Sequence, residues 1–214
     1  MKRRLSRTAL ATIVVGGILA AAAAAATLGI VSQKMAIFSN SLTHATCTAA
    51  TVSDDSWTDQ FSPGTNNGAA TTLSISPKSS KLNDAWIRFN LAPCSFPANA
   101  QVDSATLGVT MTTAMAGRTI TVSKVTATWT GSAITWTNQP TVSGTATGTF
   151  SGTGTGAKTI DVSPDVAGFV DGQAANYGWQ LADLGASATV TGAIGSVENG
   201  TAGNRPTLTI NYSY

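Results

Sequence analysis

The chain has 214 residues, of which only 10% are charged and 21 are Gly, with single Glu and His residues and two Cys. Gly, Thr and Ser in this abundance exclude a helical bundle, since they favour short strands and turns, and so few His and Cys leave no usual zinc site or Cys–His nucleophile system. The net charge of +2 is lopsided: Lys2, Arg3, Arg4, Arg7 and Lys34 precede the first acid, Asp54, and the remaining bases, Lys78, Lys81, Arg88, Arg118, Lys124, Lys158 and Arg205, stand singly, which excludes a nucleic-acid partner.

Residues 1–35 read as an export signal. A basic start precedes the uncharged residues 8–33, which include Ile13, Val14, Val15, Ile18, Leu19 and an alanine run. An apolar helix of roughly 25 residues, rising about 1.5 Å per residue, crosses a bilayer of about 30 Å. It is expected to act either as a cleaved signal peptide or as a retained anchor. Membrane contact is expected through residues 8–33 alone, with the rest secreted or held at the cell surface. Residues 36–49 read as a linker. Within them Ala36-Ile37-Phe38-Ser39 is similar to the A-x-F-S element ending the SipW-type leaders of TasA/camelysin-like surface-fibre subunits.

Cys47 and Cys94 fit the same compartment, because an even count without metal or redox spacing in an exported chain reads as one disulfide. Two buried free thiols are the alternative. The bridge is expected to be structural, closing a loop of about 48 residues and removing about 4 kcal/mol of unfolded-state freedom.

From residue 48 onward, strand-sized apolar segments alternate with turn chemistry. The expected strands are 48–57, 71–76, 85–91, 104–111, 119–130, 133–137, 145–151, 157–162, 178–184, 193–198 and 206–214. Ala105, Leu107, Val109 and Met111 share one face, and Ile87, Phe89 and Leu91 oppose Trp86, Arg88 and Asn90, as half-buried strands do. The apolar parity slips near Ser123-Lys124, where a bulge is expected. Residues 163–170 predict a single helix, with Ser163 as cap, Pro164 and Asp165 in the first turn, an apolar face of Val166, Phe169 and Val170, and Asp171-Gly172 as its stop.

The order of short motifs over residues 50–214 resembles the DNRLRE-type β-sandwich domain, also classed as carbohydrate-binding module family 96. Asp54-Asp55-Ser56-Trp57, Trp86-Ile87-Arg88-Phe89-Asn90-Leu91 and the segment from Phe96-Pro97 to Ala105-Thr106-Leu107 are similar to its opening elements. Trp129 with Ile134-Thr135-Trp136-Thr137-Asn138-Gln139-Pro140, Ile160-Asp161-Val162, Asn176-Tyr177-Gly178-Trp179-Gln180-Leu181, Ser196-Val197-Glu198 and Arg205-Pro206-Thr207-Leu208 follow in order. Asp84 stands where the family usually has a basic residue, and Asn90 replaces its usual Asp. The resemblance implies an all-β, antiparallel jelly-roll sandwich outside the cell, with carbohydrate binding in some members and no catalytic motif. The chain is accordingly read as a stand-alone module or coat component.

Sugar rings stack on exposed aromatics while rim polar groups bond their hydroxyls. Trp86, out of phase with Ile87 and Phe89, and Trp57, Tyr177 and Trp179, near strand ends, are the candidate carbohydrate-binding residues, whereas Trp129 and Trp136 are expected in the core. Hard cations take loop carboxylates, so a structural calcium is assigned to Asp54, Asp55 and Glu198, with solvated turn carboxylates as the alternative. No carboxylate pair has motif support for glycoside hydrolysis. The expectation is an exported, non-catalytic module binding polysaccharide or cell-wall glycan. The alternative is a structural surface subunit of a coat, fibre or wall that self-associates through a strand edge or apolar patch.

Overall fold

The alternation over Ala105, Leu107, Val109 and Met111 yields the strand it predicts: β5 (Gln101–Thr113) buries all four and turns Thr106 to solvent. The computed structural model describes residues 42–48, 50–77, 82–185 and 189–214. The apolar helix read over residues 1–35 and the Ala36–Ser39 element lie outside them. Among the described residues no helix is long and apolar enough to cross a membrane.

Two antiparallel sheets form a β-sandwich. In the first, β1 (His44–Cys47), β11 (Thr207–Ser213), β5, β10 (Gly192–Gly195) and β3 (Thr72–Ile75) are successive partners, and β8 (Gly156–Asp161) lines the other side of β5. In the second the order is β2 (Thr51–Asp59), β4 (Asn83–Asn90), β9 (Trp179–Ala182), β6 (Thr119–Lys124) and β7 (Gly148–Ser151). Between the sheets lies the main core, built from Leu73 and Ile75, Ala85, Ile87 and Phe89, the inner face of β5, Ile120 and Val122, Trp179 and Leu181, Ile194, Leu208 and Ile210.

Three local readings change. His44–Cys47, inside the stretch read as a linker, is a sheet-edge strand whose backbone pairs with β11. The strand expected over 119–130 leaves the sheet after Lys124: Val125 bonds Gly178, Thr126 bonds Thr141, and the chain lies across the sheet's outer face. The strand expected over 133–137 is instead a 3-10 turn, Trp136–Asn138. There the Asn138 side chain takes the Thr135 N–H at 2.6 Å and gives its own N–H to the Ala133 carbonyl at 3.0 Å, so side-chain bonds replace a ladder.

The helix α1 (Ser163–Val170) forms as expected, with Pro164 and Asp165 in its first turn. Ser163 is not its cap. Its Oγ accepts the Ala105 N–H at 2.8 Å and so fastens the helix to β5, while Asp161 Oδ1 accepts the Ser163 N–H at 2.9 Å. The Ser163 hydroxyl also donates to Asp161 Oδ1, and that bond first, with the N–H bond second, holds the Asp161 carboxyl below the usual carboxylate range.

Gly178 has φ +74°, and a Cβ there would lie 2.1 Å from the Ile87 carbonyl oxygen. Both the left-handed backbone and the close approach require glycine. Gly178→Ala is therefore expected to destabilise the protein by more than about 1 kcal/mol, read as a lower denaturation midpoint with unchanged slope.

Candidate functional site

Opposite residues of an antiparallel pair share a face, so pairing decides where each aromatic goes. Trp86 lies on the outer face of its sheet, as its phase predicts, yet it is fully buried. The segment crossing that face builds a second, smaller core of Trp86, Val125, Trp129 and Ile134, with Val142 and Tyr177 against it. Trp86 Nε1 donates to Thr58 Oγ1 at 3.1 Å, so its polar end is satisfied internally.

Trp179 is opposite Ile87 and enters the main core, where it is 1% exposed and donates to Asp165 Oδ2 at 2.9 Å. Both tryptophans are therefore corrected: neither offers a face to a ligand. Trp57, opposite Ala85, is half-buried against the main core at the sheet edge. Tyr177 is half-buried against the second core, and its carbonyl accepts the Trp129 indole N–H at 2.8 Å. Trp129 is buried as expected, but Trp136 in its 3-10 turn is only half-buried.

The carboxylates behave differently. Asp54, Asp55 and Glu198, 143 positions apart in the chain for the last two, line one cleft of about 390 Å³ with Ser53, Asn66 and Ser132. Loops after β2, β6 and β10 meet there at the β2 edge. Gly131 and Gly68 make the approach close: a Cβ on Gly131 would lie 2.7 Å from the Asp55 carbonyl, and one on Gly68 2.2 Å from the Gly131 carbonyl. Asn66 Nδ2 bonds the carbonyls of Gly131 and Ile134, each at 2.7 Å, and so ties two of the loops together.

Within this cleft the two aspartates have opposite surroundings. Asp54, opposite Arg88, is ion-paired with that guanidinium and accepts the Gly131 N–H at 2.8 Å. Asp55, opposite Ile87 and so on the inner face, is 3% exposed. Its Oδ2 accepts the Val197 N–H at 2.8 Å, but its buried Oδ1 accepts no hydrogen bond. Burial first, then Glu198 and Asp54, push the Asp55 carboxyl up to about 7, against the pull of the Val197 N–H. A raised carboxyl favours the folded state only while protonated. That contribution is present below the unfolded value near 4 and lost as pH rises through about 7. Among the described residues no three His, Cys, Asp or Glu side chains converge as a ready metal cage.

Sequence reading missed a second cleft, of about 280 Å³, lined by Ser53, Arg88, Phe89, Asn90, Leu91 and Asn176. A register shift between Val52 and Asp54 bulges β2 at Ser53, which lines both clefts, and bulges commonly re-aim side chains beside sites. Ser53 Oγ accepts from Arg88 Nε at 3.3 Å, and Arg88 also lies over the Trp129 ring, 5.7 Å from its centroid. Asn176 Nδ2 donates to the Phe89 carbonyl at 2.8 Å. The nearest signal in the sequence was Asn90 and Asn176, each polar beside an apolar strand, but nothing in their spacing brings them together.

The fold is thus a two-sheet antiparallel β-sandwich with polar clefts opening between its strand ends and loops. The model of carbohydrate-binding module family 96 matches residues 46–212, and the chain belongs to that family. No curated protein matches it.

Proposed function

We propose that the chain is an exported, non-catalytic module, jelly-roll in its winding, that binds polysaccharide such as cell-wall glycan in the cleft of Arg88, Asn90 and Asn176. The observation that carries this reading is the cleft's chemistry: the Arg88 guanidinium and the Asn90 and Asn176 carboxamides line one opening, and Tyr177, half-buried against the second core, follows Asn176 in the chain. Planar donors and acceptors match sugar hydroxyls, and an aromatic face matches the apolar ring face. Arg88 has five N–H donors and spends bonds on Asp54 and Ser53, so it is oriented without being exhausted. Family membership and the Cys47–Cys94 bond, at home in an oxidising compartment, support the same reading.

Calorimetry against a panel of polysaccharides tests it. Asn90→Ala is expected to weaken binding about 2- to 12-fold, the scale of one hydrogen bond of about 0.5–1.5 kcal/mol. Tyr177→Ala is expected to weaken it about 5- to 150-fold, the scale of an aromatic contact of about 1–3 kcal/mol, with circular dichroism checking that the fold survives. If no polysaccharide binds, or both variants bind like the parent, the sugar reading fails and the structural-subunit alternative takes its place.

A further inference from the structure

Arg88 pairs with Asp54, which leaves the Asp55 and Glu198 carboxyl groups in one cleft with no cationic side chain beside them in its lining. The lining contains no Lys, Arg or His. It is otherwise oxygen-bearing and small: Ser53 and Ser132 hydroxyls, the Asn66 amide and the backbone of Gly68, Ala69, Gly131 and Val197. A buried carboxylate oxygen is normally hydrogen-bonded, and leaving one orphaned costs free energy unless something fills the place. Asp55 Oδ1 accepts no hydrogen bond, its side chain is nine-tenths buried and more and lines this cleft, and the Asp55 carboxyl lies within hydrogen-bonding reach of the Glu198 carboxyl.

We propose that this cleft is a binding site for a hard divalent cation, calcium by its chemistry, with Asp55 and Glu198 as the anionic ligands and neutral oxygens completing the shell. Two carboxylates balance a charge of +2. Calcium accepts six to eight oxygen ligands in irregular arrangements, including amide and backbone carbonyls and water, so a third carboxylate is not required. The absence of thiol and imidazole from the lining disfavours the softer transition metals. Asn66 is held by its two Nδ2 bonds, which fixes the loop bearing it before any ion arrives. Asp54 takes a positioning role: its bonds to Arg88 and to the Gly131 N–H hold the far wall. Because the site joins the β2 edge to the loop after β10, an ion there ties the two sheets together at one end.

The test is calorimetric titration of the chelator-treated full chain with calcium chloride, alongside thermal unfolding with calcium and with chelator. The expected result is saturable one-site binding and a Tm that rises with calcium concentration. Asp55→Asn and Glu198→Gln are each expected to weaken binding at least about 10-fold, since removing one ligand charge lowers affinity steeply. Glu198 is exposed on its loop, so Glu198→Gln folds and decides the matter even if Asp55→Asn does not. No heat and no Tm rise in the parent, or parent-like binding by Glu198→Gln, would overturn the proposal.

Discussion

Trp179→Ala is expected to lower the unfolding free energy by about 3–5 kcal/mol, the usual cost of truncating a fully buried tryptophan. Two losses add at this position. The first is the cavity left between Ile87 and Phe169, whose ring centroid lies 5.7 Å from that of Trp179. The second is a donor to Asp165, a buried carboxylate also held by Thr147 at 2.5 Å and by Lys124 at 3.2 Å. Trp179→Phe separates the two, restoring much of the volume but not the N–H, and is expected to fall between parent and Ala. Urea denaturation followed by far-ultraviolet circular dichroism measures all three. A loss under about 1 kcal/mol for Trp179→Ala would show that the indole does not hold the core as described. Any loss of ligand affinity in this variant comes through the fold, because the ring has no exposed face.

Breaking the Cys47–Cys94 bond is expected to cost about 4 kcal/mol, the chain-entropy value for a loop of about 48 residues. The bond spans a sequence separation of 47 and joins β1 to the 3-10 turn Ala92–Cys94 after β4. It thereby connects the edge of one sheet to the end of a strand in the other. β1 is four residues long and pairs only with β11, so its docking depends heavily on this covalent tie. The double variant Cys47→Ser/Cys94→Ser, compared with the parent in urea, should show the loss. Adding reductant should destabilise the parent by a similar amount and leave the variant unchanged. A variant as stable as the parent would mean that β1 holds by its own pairing.

Much of the architecture was legible in the sequence. Period-two alternation placed β5 and the inner face of β4, and Ser163-Pro164-Asp165 with Val166 placed the helix, because these signals are local: each follows from one segment's own periodicity or turn chemistry. The cysteine pairing was legible from an even count without metal or redox spacing. The motif series that resembles carbohydrate-binding module family 96 pointed to the family whose model covers residues 46–212. Only Asp54 and Asp55 of the acidic cleft are neighbours in the chain, yet Glu198 was named with them and the structure brings all three to one cleft.

What only the tertiary structure decided is which faces are covered. Phase put Trp86 on the outer face of its sheet, and an outer face ordinarily meets water. Here the segment from Val125 to Val142 lies across it, and no local pattern in β4 records that. Trp179 was read as a strand-end residue, but its partner across the sheet, Ile87, draws it into the main core. The opposite fates of Asp54 and Asp55 have the same origin: adjacent residues of a strand point to opposite faces, so one meets Arg88 and the other is buried beneath Val197. Periodicity along a chain fixes the direction of a side chain relative to its own strand, whereas burial and charge environment depend on segments tens of residues away, and those are set only when the sheets and their crossing loops pack.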